Sequence, residues 1–60
     1  MMTHIPKDPV MLLSYMNTQL RDFYPSLDEF CKSLGIQKEE LTRTLDTIDY
    51  HYDRAKNQFI

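Results

Sequence analysis

His51 has the widest chemical reach in this sequence, because carboxylates flank it two residues away on either side, at Asp49 and Asp53. Residues two apart share one face of an extended strand, so the three side chains would converge there and could hold a cation weakly. A solvated polar strand face explains the spacing more simply, since a metal site needs three or four well-spaced ligands. Only one cysteine, Cys31, and one further histidine, His4 in the N-terminal lead, are on offer. We therefore expect no metal and no cofactor. Ser14, His51 and Asp22 are the residue types of a nucleophile–base–acid set, but nothing in their spacing brings them together. The carboxylate pairs Asp28-Glu29 and Glu39-Glu40 fall at expected helix starts, where acidic residues suit the positive end of the helix dipole. With Gly35 as the single glycine, there is no glycine-rich phosphate loop. A chain of 60 residues also has little room for a concave pocket. The expectation is a protein without enzymatic activity and without catalytic residues.

The elements that must carry these side chains are legible from spacing. Asp8-Pro9 marks a helix start, with Asp8 as N-cap and Pro9 at the first helical position. From Val10 onward, Leu12, Leu13, Met16, Leu20 and Phe23 recur with the helical period and cover about half of the circumference. Tyr24-Pro25 ends this helix, because proline disfavours helical geometry in the residue before it. Ser26 and Glu29 then form a capping-box pattern. Leu27, Phe30, Cys31 and Leu34 form one apolar stripe, and Gly35 supplies a left-handed stop. After the short Leu34-Gly35-Ile36 turn a third helix begins near Gln37, a poor N-cap, and buries Leu41, Leu45 and Ile48. Tyr50-His51-Tyr52 alternates and could pair with Asn57-Gln58-Phe59-Ile60 across Asp53 to Lys56.

The expected fold is mainly α: a three-helix bundle containing a helix-turn-helix, with a short C-terminal β-hairpin in the position of a wing. Helices are expected over about 9–23, 26–34 and 37–49 and the hairpin over 50–60. These form one domain, 8–60, behind a flexible lead, 1–7. Cys31 lies on the apolar stripe and is expected to behave as a small buried hydrophobe rather than a reactive thiol. No apolar run approaches the roughly 20 residues of a membrane helix, and Met1 to Pro9 lacks the pattern of a secretory signal. A cytoplasmic location is the default expectation, with no membrane partner.

A helix-turn-helix invites DNA binding. The third helix would enter the major groove with Gln37, Lys38, Thr42 and Arg43 toward base edges, while Arg54 and Lys56 of the wing would meet phosphates. Charge opposes this. The formal net charge is −2. Over residues 26–49, Asp28, Glu29, Glu39, Glu40, Asp46 and Asp49 outnumber Lys32, Lys38 and Arg43, leaving a net −3. Glu39 and Asp46 stand four before and three after Arg43, close enough on a helix to pair with it. Such a face repels the phosphate backbone. The favoured expectation is a protein-interaction or regulatory adaptor module, or self-association, with exposed Tyr15, Tyr24 and Tyr52 as anchors. DNA binding by a winged helix-turn-helix regulator is the alternative.

Asn17 sits at the margin of the first helix's apolar stripe, beside Leu13 and Leu20, where a polar group needs a hydrogen-bond partner. A structural clamp to the tail near Asn57-Gln58 is the favoured reading, a place in a binding site the other. We further expect Asn17, Arg21 and the tail to form one polar network, with Asp22 paired to Arg21 or to a backbone N–H near Ser26.

The pattern Asp8-Pro9-x-x-Leu12-Leu13-Ser14, Asn17, Leu20-Arg21-Asp22, Ser26-Leu27-x-x-Phe30-Cys31, Tyr50-x-Tyr52 and Asn57-Gln58-Phe59 resembles a family of very short bacterial proteins, the domain-of-unknown-function family 4250. The resemblance covers about residues 8–60. It implies a small stand-alone bacterial protein and supplies no catalytic residues. Ser26 to Asp49 is also similar to the helix-turn-helix of winged bacterial regulators, and Cys31 fits their small-residue position. Gln37, Glu39 and Asp46 depart from that pattern, which weakens the DNA role and not the fold.

Overall fold

Asp8 opens the first helix by accepting a hydrogen bond from the Met11 backbone N–H at 3.0 Å, with Pro9 at the first helical position. The computed structural model describes residues 5–60. Helix α1 runs Pro9–Asp22, α2 Leu27–Leu34 and α3 Lys38–Asp46, followed by strands β1 (Tyr52–Asp53) and β2 (Gln58–Phe59). The strands pair antiparallel, with Tyr52 opposite Phe59 and Asp53 opposite Gln58. The protein is thus a mainly α, three-helix domain with a wing-like C-terminal hairpin.

Each helix end has a local cause. The Ser26 hydroxyl accepts from the Glu29 N–H at 3.1 Å. Among the described residues, however, no bond returns from the Glu29 side chain, so only half of the expected capping box forms. Gly35 adopts φ 67° and ψ 36°, and the Ile36 N–H reaches back to the Cys31 carbonyl at 2.9 Å, closing α2 with a Schellman-type bond. Gln37 makes no side-chain cap on α3.

The third helix is shorter than the expected 37–49. After Asp46 the chain tightens through Thr47 N–H to Thr44 O and Ile48 N–H to Leu45 O, both 3.2 Å. Asp49 then turns left-handed at φ 67°, and the Tyr50 N–H returns to the Leu45 carbonyl at 3.0 Å. Asp49 thereby does for α3 what Gly35 does for α2, a conformation that aspartate tolerates better than most residues. Tyr50 is exposed and precedes the strand rather than belonging to it.

Leu12, Met16 and Leu20 of α1, Leu27, Phe30 and Cys31 of α2, Leu41 and Leu45 of α3 and Phe59 of β2 form one buried cluster. Phe30 is fully buried, and Tyr15 and Tyr24 meet it edge-on at ring separations of 6.3 and 5.2 Å. Phe59 is 1% exposed, so the hairpin contributes a core side chain, and full burial of a phenylalanine stabilises by about 1.5–3 kcal/mol. Phe23 departs from expectation. It is 68% exposed, because as C-cap of α1 its backbone has left the helix and with it the apolar stripe. Met1 to His4 lie outside the described residues, whereas Ile5 is half-buried against the core.

Candidate functional site

The hairpin is fastened to α1 by two asparagines. Asn17, on α1, donates from Nδ2 to the Phe59 carbonyl at 3.1 Å and accepts from the Phe59 N–H at Oδ1, 2.8 Å. His51 and Ile60 exchange both backbone hydrogen bonds at 2.9 Å, so the next pair, Tyr52 and Phe59, is non-hydrogen-bonded, and the polar groups of Phe59 face away from β1. The Asn17 amide therefore occupies the outer edge of β2 as a neighbouring strand would.

Asn57 works from the hairpin turn. Its left-handed backbone, φ 52°, turns the chain into β2. Its Nδ2 lies 3.0 Å from both the Leu20 and Tyr24 carbonyls at the end of α1, acceptors that the helix itself leaves unfilled. Its Oδ1 accepts from the Tyr52 hydroxyl at 2.6 Å, and that hydroxyl accepts from the Leu27 N–H at the start of α2 at 3.2 Å. One relay thus ties the end of α1, the start of α2 and the hairpin together.

Beside this fastening lies a cleft of about 480 Å³ between α1 and the hairpin, lined by Ser14, Asn17, Thr18, Leu20, Arg21, Lys56, Asn57 and Gln58. Arg21 does not join the Asn17 network. Its Nε and Nη2 donate to Asp22 at 2.9 and 3.0 Å, which holds the guanidinium in a fixed plane and the Asp22 carboxyl below its ordinary range. Gln58 is exposed and makes no side-chain bond among the described residues.

Of the residues considered for DNA contact, Lys38, Thr42, Arg43, Arg54 and Lys56 line several different hollows. Lys38 donates to Asp28 at 2.9 Å, and this bond raises the lysine and lowers the carboxyl. Lys38 and Arg54 flank a hollow that also contains Asp28 and Tyr52. Lys56 faces α1. Arg43 shares its surroundings with Glu39, Thr42, Asp46 and His51. Thr42 donates its hydroxyl to the Glu39 carbonyl at 3.1 Å, and Gln37 is exposed at the head of α3. The expected pairing of Arg43 with Glu39 and Asp46 is not found among the described residues. Asp46 instead lies 3.3 Å from His51 Nδ1.

The tyrosine anchors also differ from expectation. Tyr15, Tyr24 and Tyr52 are half-buried, the first two against Phe30 and the third in the relay. Burial and the neighbouring Tyr24 push the Tyr15 hydroxyl up, and it has no hydrogen-bond partner among the described residues. Of the two carboxylates that flank His51 in sequence, Asp49 lies 3.8 Å from its Nε2, whereas Asp53 accepts from the Ala55 and Lys56 N–H groups at 2.9 and 3.3 Å. Asp22 is held by Arg21 and His51 lies against Asp46, so neither bonds Ser14. No group of three or more metal-ligating side chains occurs among the described residues, and no helix there is long and apolar enough to cross a membrane.

Sequence reasoning missed the Tyr52–Asn57 relay and the place of Ser14 and Thr18 in the cleft. The spacing of Ser14, Thr18 and Arg21 on one helix face was the available signal for the latter.

Fold and site together define a small helical domain with a fastened wing-like hairpin and an adjoining polar cleft. The chain belongs to the family described as Domain of unknown function (DUF4250), whose model matches residues 6–59. No curated protein and no solved structure matches it.

Proposed function

We propose that this protein is a non-enzymatic binding module, a cytoplasmic adaptor or regulator that meets its partner with the α1–hairpin side rather than with α3. The make-up of the α1–hairpin cleft carries this reading: Arg21, Lys56 and the Ser14 and Thr18 hydroxyls line it and no carboxylate does, and Lys56 has no ion pair among the described residues. Helix α3 instead exposes Glu39, Glu40 and Asp46, and its Lys38 is held by Asp28. Phosphate neutralisation, the source of general DNA affinity, is poorly served by that helix. The exposed apolar side chains Val10, Met11 and Ile60 belong to α1 and the end of the hairpin, and suit a protein partner or a second copy.

One observation favours the winged helix-turn-helix DNA-binding reading: Arg43 is exposed and makes no ion pair among the described residues. An amide NMR titration with a mixed-sequence duplex, at low and then higher salt, decides between the two. The proposal expects no salt-sensitive shifts in Gln37 to Arg43 or at Arg54. Shifts confined to those two places would overturn it in favour of DNA.

A further inference from the structure

The α1–hairpin cleft differs in charge from three other hollows among the described residues. Arg21 and Lys56 line it and no carboxylate does. Each of the three other hollows carries at least one carboxylate: Glu40 beside Lys7 and Arg43, Asp28 beside Lys38 and Arg54, and Glu39 with Asp46 beside Arg43. This is notable in a chain of net charge −2. Asp22 offsets part of the Arg21 charge from outside the cleft, and the charge of Lys56 is left without a counterion among the described residues.

The cleft hydroxyls differ from those of α3. All three threonines of α3 and its end, Thr42, Thr44 and Thr47, donate to backbone carbonyls of their own segment. Ser14 and Thr18 sit one turn apart on α1 and make no such bond among the described residues, although helical hydroxyls commonly return to the preceding turn. Two hydroxyls, the Lys56 ammonium and the Arg21 N–H groups not bonded to Asp22 thus line one cleft without acceptors among the described residues. Arg21 is held in orientation by its two bonds to Asp22, and Lys56 lies next to Asn57, whose side chain is anchored to α1. Arg21 thus stands on the α1 side of the cleft and Lys56 on the hairpin side.

From the two cations and two hydroxyls, Arg21, Lys56, Ser14 and Thr18, that line one cleft with no carboxylate in its lining, we infer that the cleft binds the phosphate group of a small phosphorylated molecule. The inference rests on the reading that the α1–hairpin side is the binding face. Charge-assisted bonds to phosphate oxygens fit a lysine point charge, a planar guanidinium and hydroxyl donors.

The test is an amide NMR titration of the whole chain with inorganic phosphate, and separately with a nucleoside monophosphate, at constant ionic strength. Saturable shifts at Ser14, Thr18, Arg21 and Lys56 to Gln58 are expected in both. Tighter binding of the monophosphate would place the phosphate within a larger ligand, and equal binding would assign free phosphate; either supports the site. Lys56→Gln and Arg21→Gln should each weaken binding about tenfold, the worth of a hydrogen bond to a charged group. Lys32→Gln, on α2, should not change it. Shifts that stay linear, spread over all basic residues, or persist unchanged in Lys56→Gln would overturn the site. A protein partner still captured by the α1–hairpin face would then leave the binding-module reading standing.

Discussion

Asn17 Oδ1 and Nδ2 meet both outward backbone groups of Phe59, at 2.8 and 3.1 Å, so a side chain of the first helix completes the edge of the last strand. A two-residue strand pair is too short to hold itself in water. Its position depends on this contact and on the burial of the Phe59 ring.

Replacing Asn17 by alanine should leave the Phe59 N–H and C=O without partners and destabilise the fold by about 2–3 kcal/mol. For a domain of this size that corresponds to a drop in Tm of roughly 10 °C or more. Asn17→Asp should fall in between, since a carboxylate can accept from the N–H but repels the carbonyl. Thermal unfolding followed by circular dichroism measures both, and an Asn17→Ala variant melting with the parent would sink the clamp.

The Tyr52 hydroxyl and Asn57 belong to one relay, so their losses should not add. Tyr52→Phe and Asn57→Gly are each expected to cost about 1–2 kcal/mol, glycine being chosen because it keeps the left-handed backbone of position 57. The double variant should cost about 1 kcal/mol less than the sum of the two. Strict additivity in urea unfolding would show that the hydroxyl and the amide act separately.

Gly35 isolates a backbone effect. A Cβ at this position would meet no heavy atom within 4 Å, while φ is +67°. Gly35→Ala should therefore cost about 1 kcal/mol from conformation alone. Gly35→Asn should cost less, because asparagine tolerates the left-handed region. Equal losses for the two variants in chemical denaturation would point to a steric cause that the packing does not show.

Cys31 is 6% exposed, and burial pushes its thiol up from the ordinary range, with Asp28 adding to the shift. A maleimide or disulfide reagent at neutral pH should react slowly with the native protein. The rate should rise with urea in step with the unfolded fraction. Full modification of the native protein within seconds would show that the thiol is open.

Features settled within a few residues along the chain were legible from residue type and spacing. Asp8-Pro9, Ser26 and Gly35 are capping signals that act over three to five positions, and the helices begin or end at them. The apolar stripes chose Leu12, Met16, Leu20, Leu27, Phe30, Cys31, Leu41 and Leu45 for the core, since helical period alone puts them on one side. The end of α3 was less legible. Asp49 becomes its left-handed stop, a conformation that aspartate tolerates but does not impose, so its type alone does not mark the turn. Only the tertiary structure decided that Phe23 faces solvent, that Tyr52 and Asn57 share a hydrogen bond with the head of α2, and that Ser14, Thr18, Arg21 and Lys56 border one cleft. The Asn17 contact spans 42 residues and the Asn57 contacts 33 and 37. Asn17 could be suspected from its place on the stripe, but its partner was fixed by the rotation of α1 against the core and the register of β2. A polar side chain bonds whatever donor or acceptor the packed core brings within 3 Å, and no spacing along the chain encodes that.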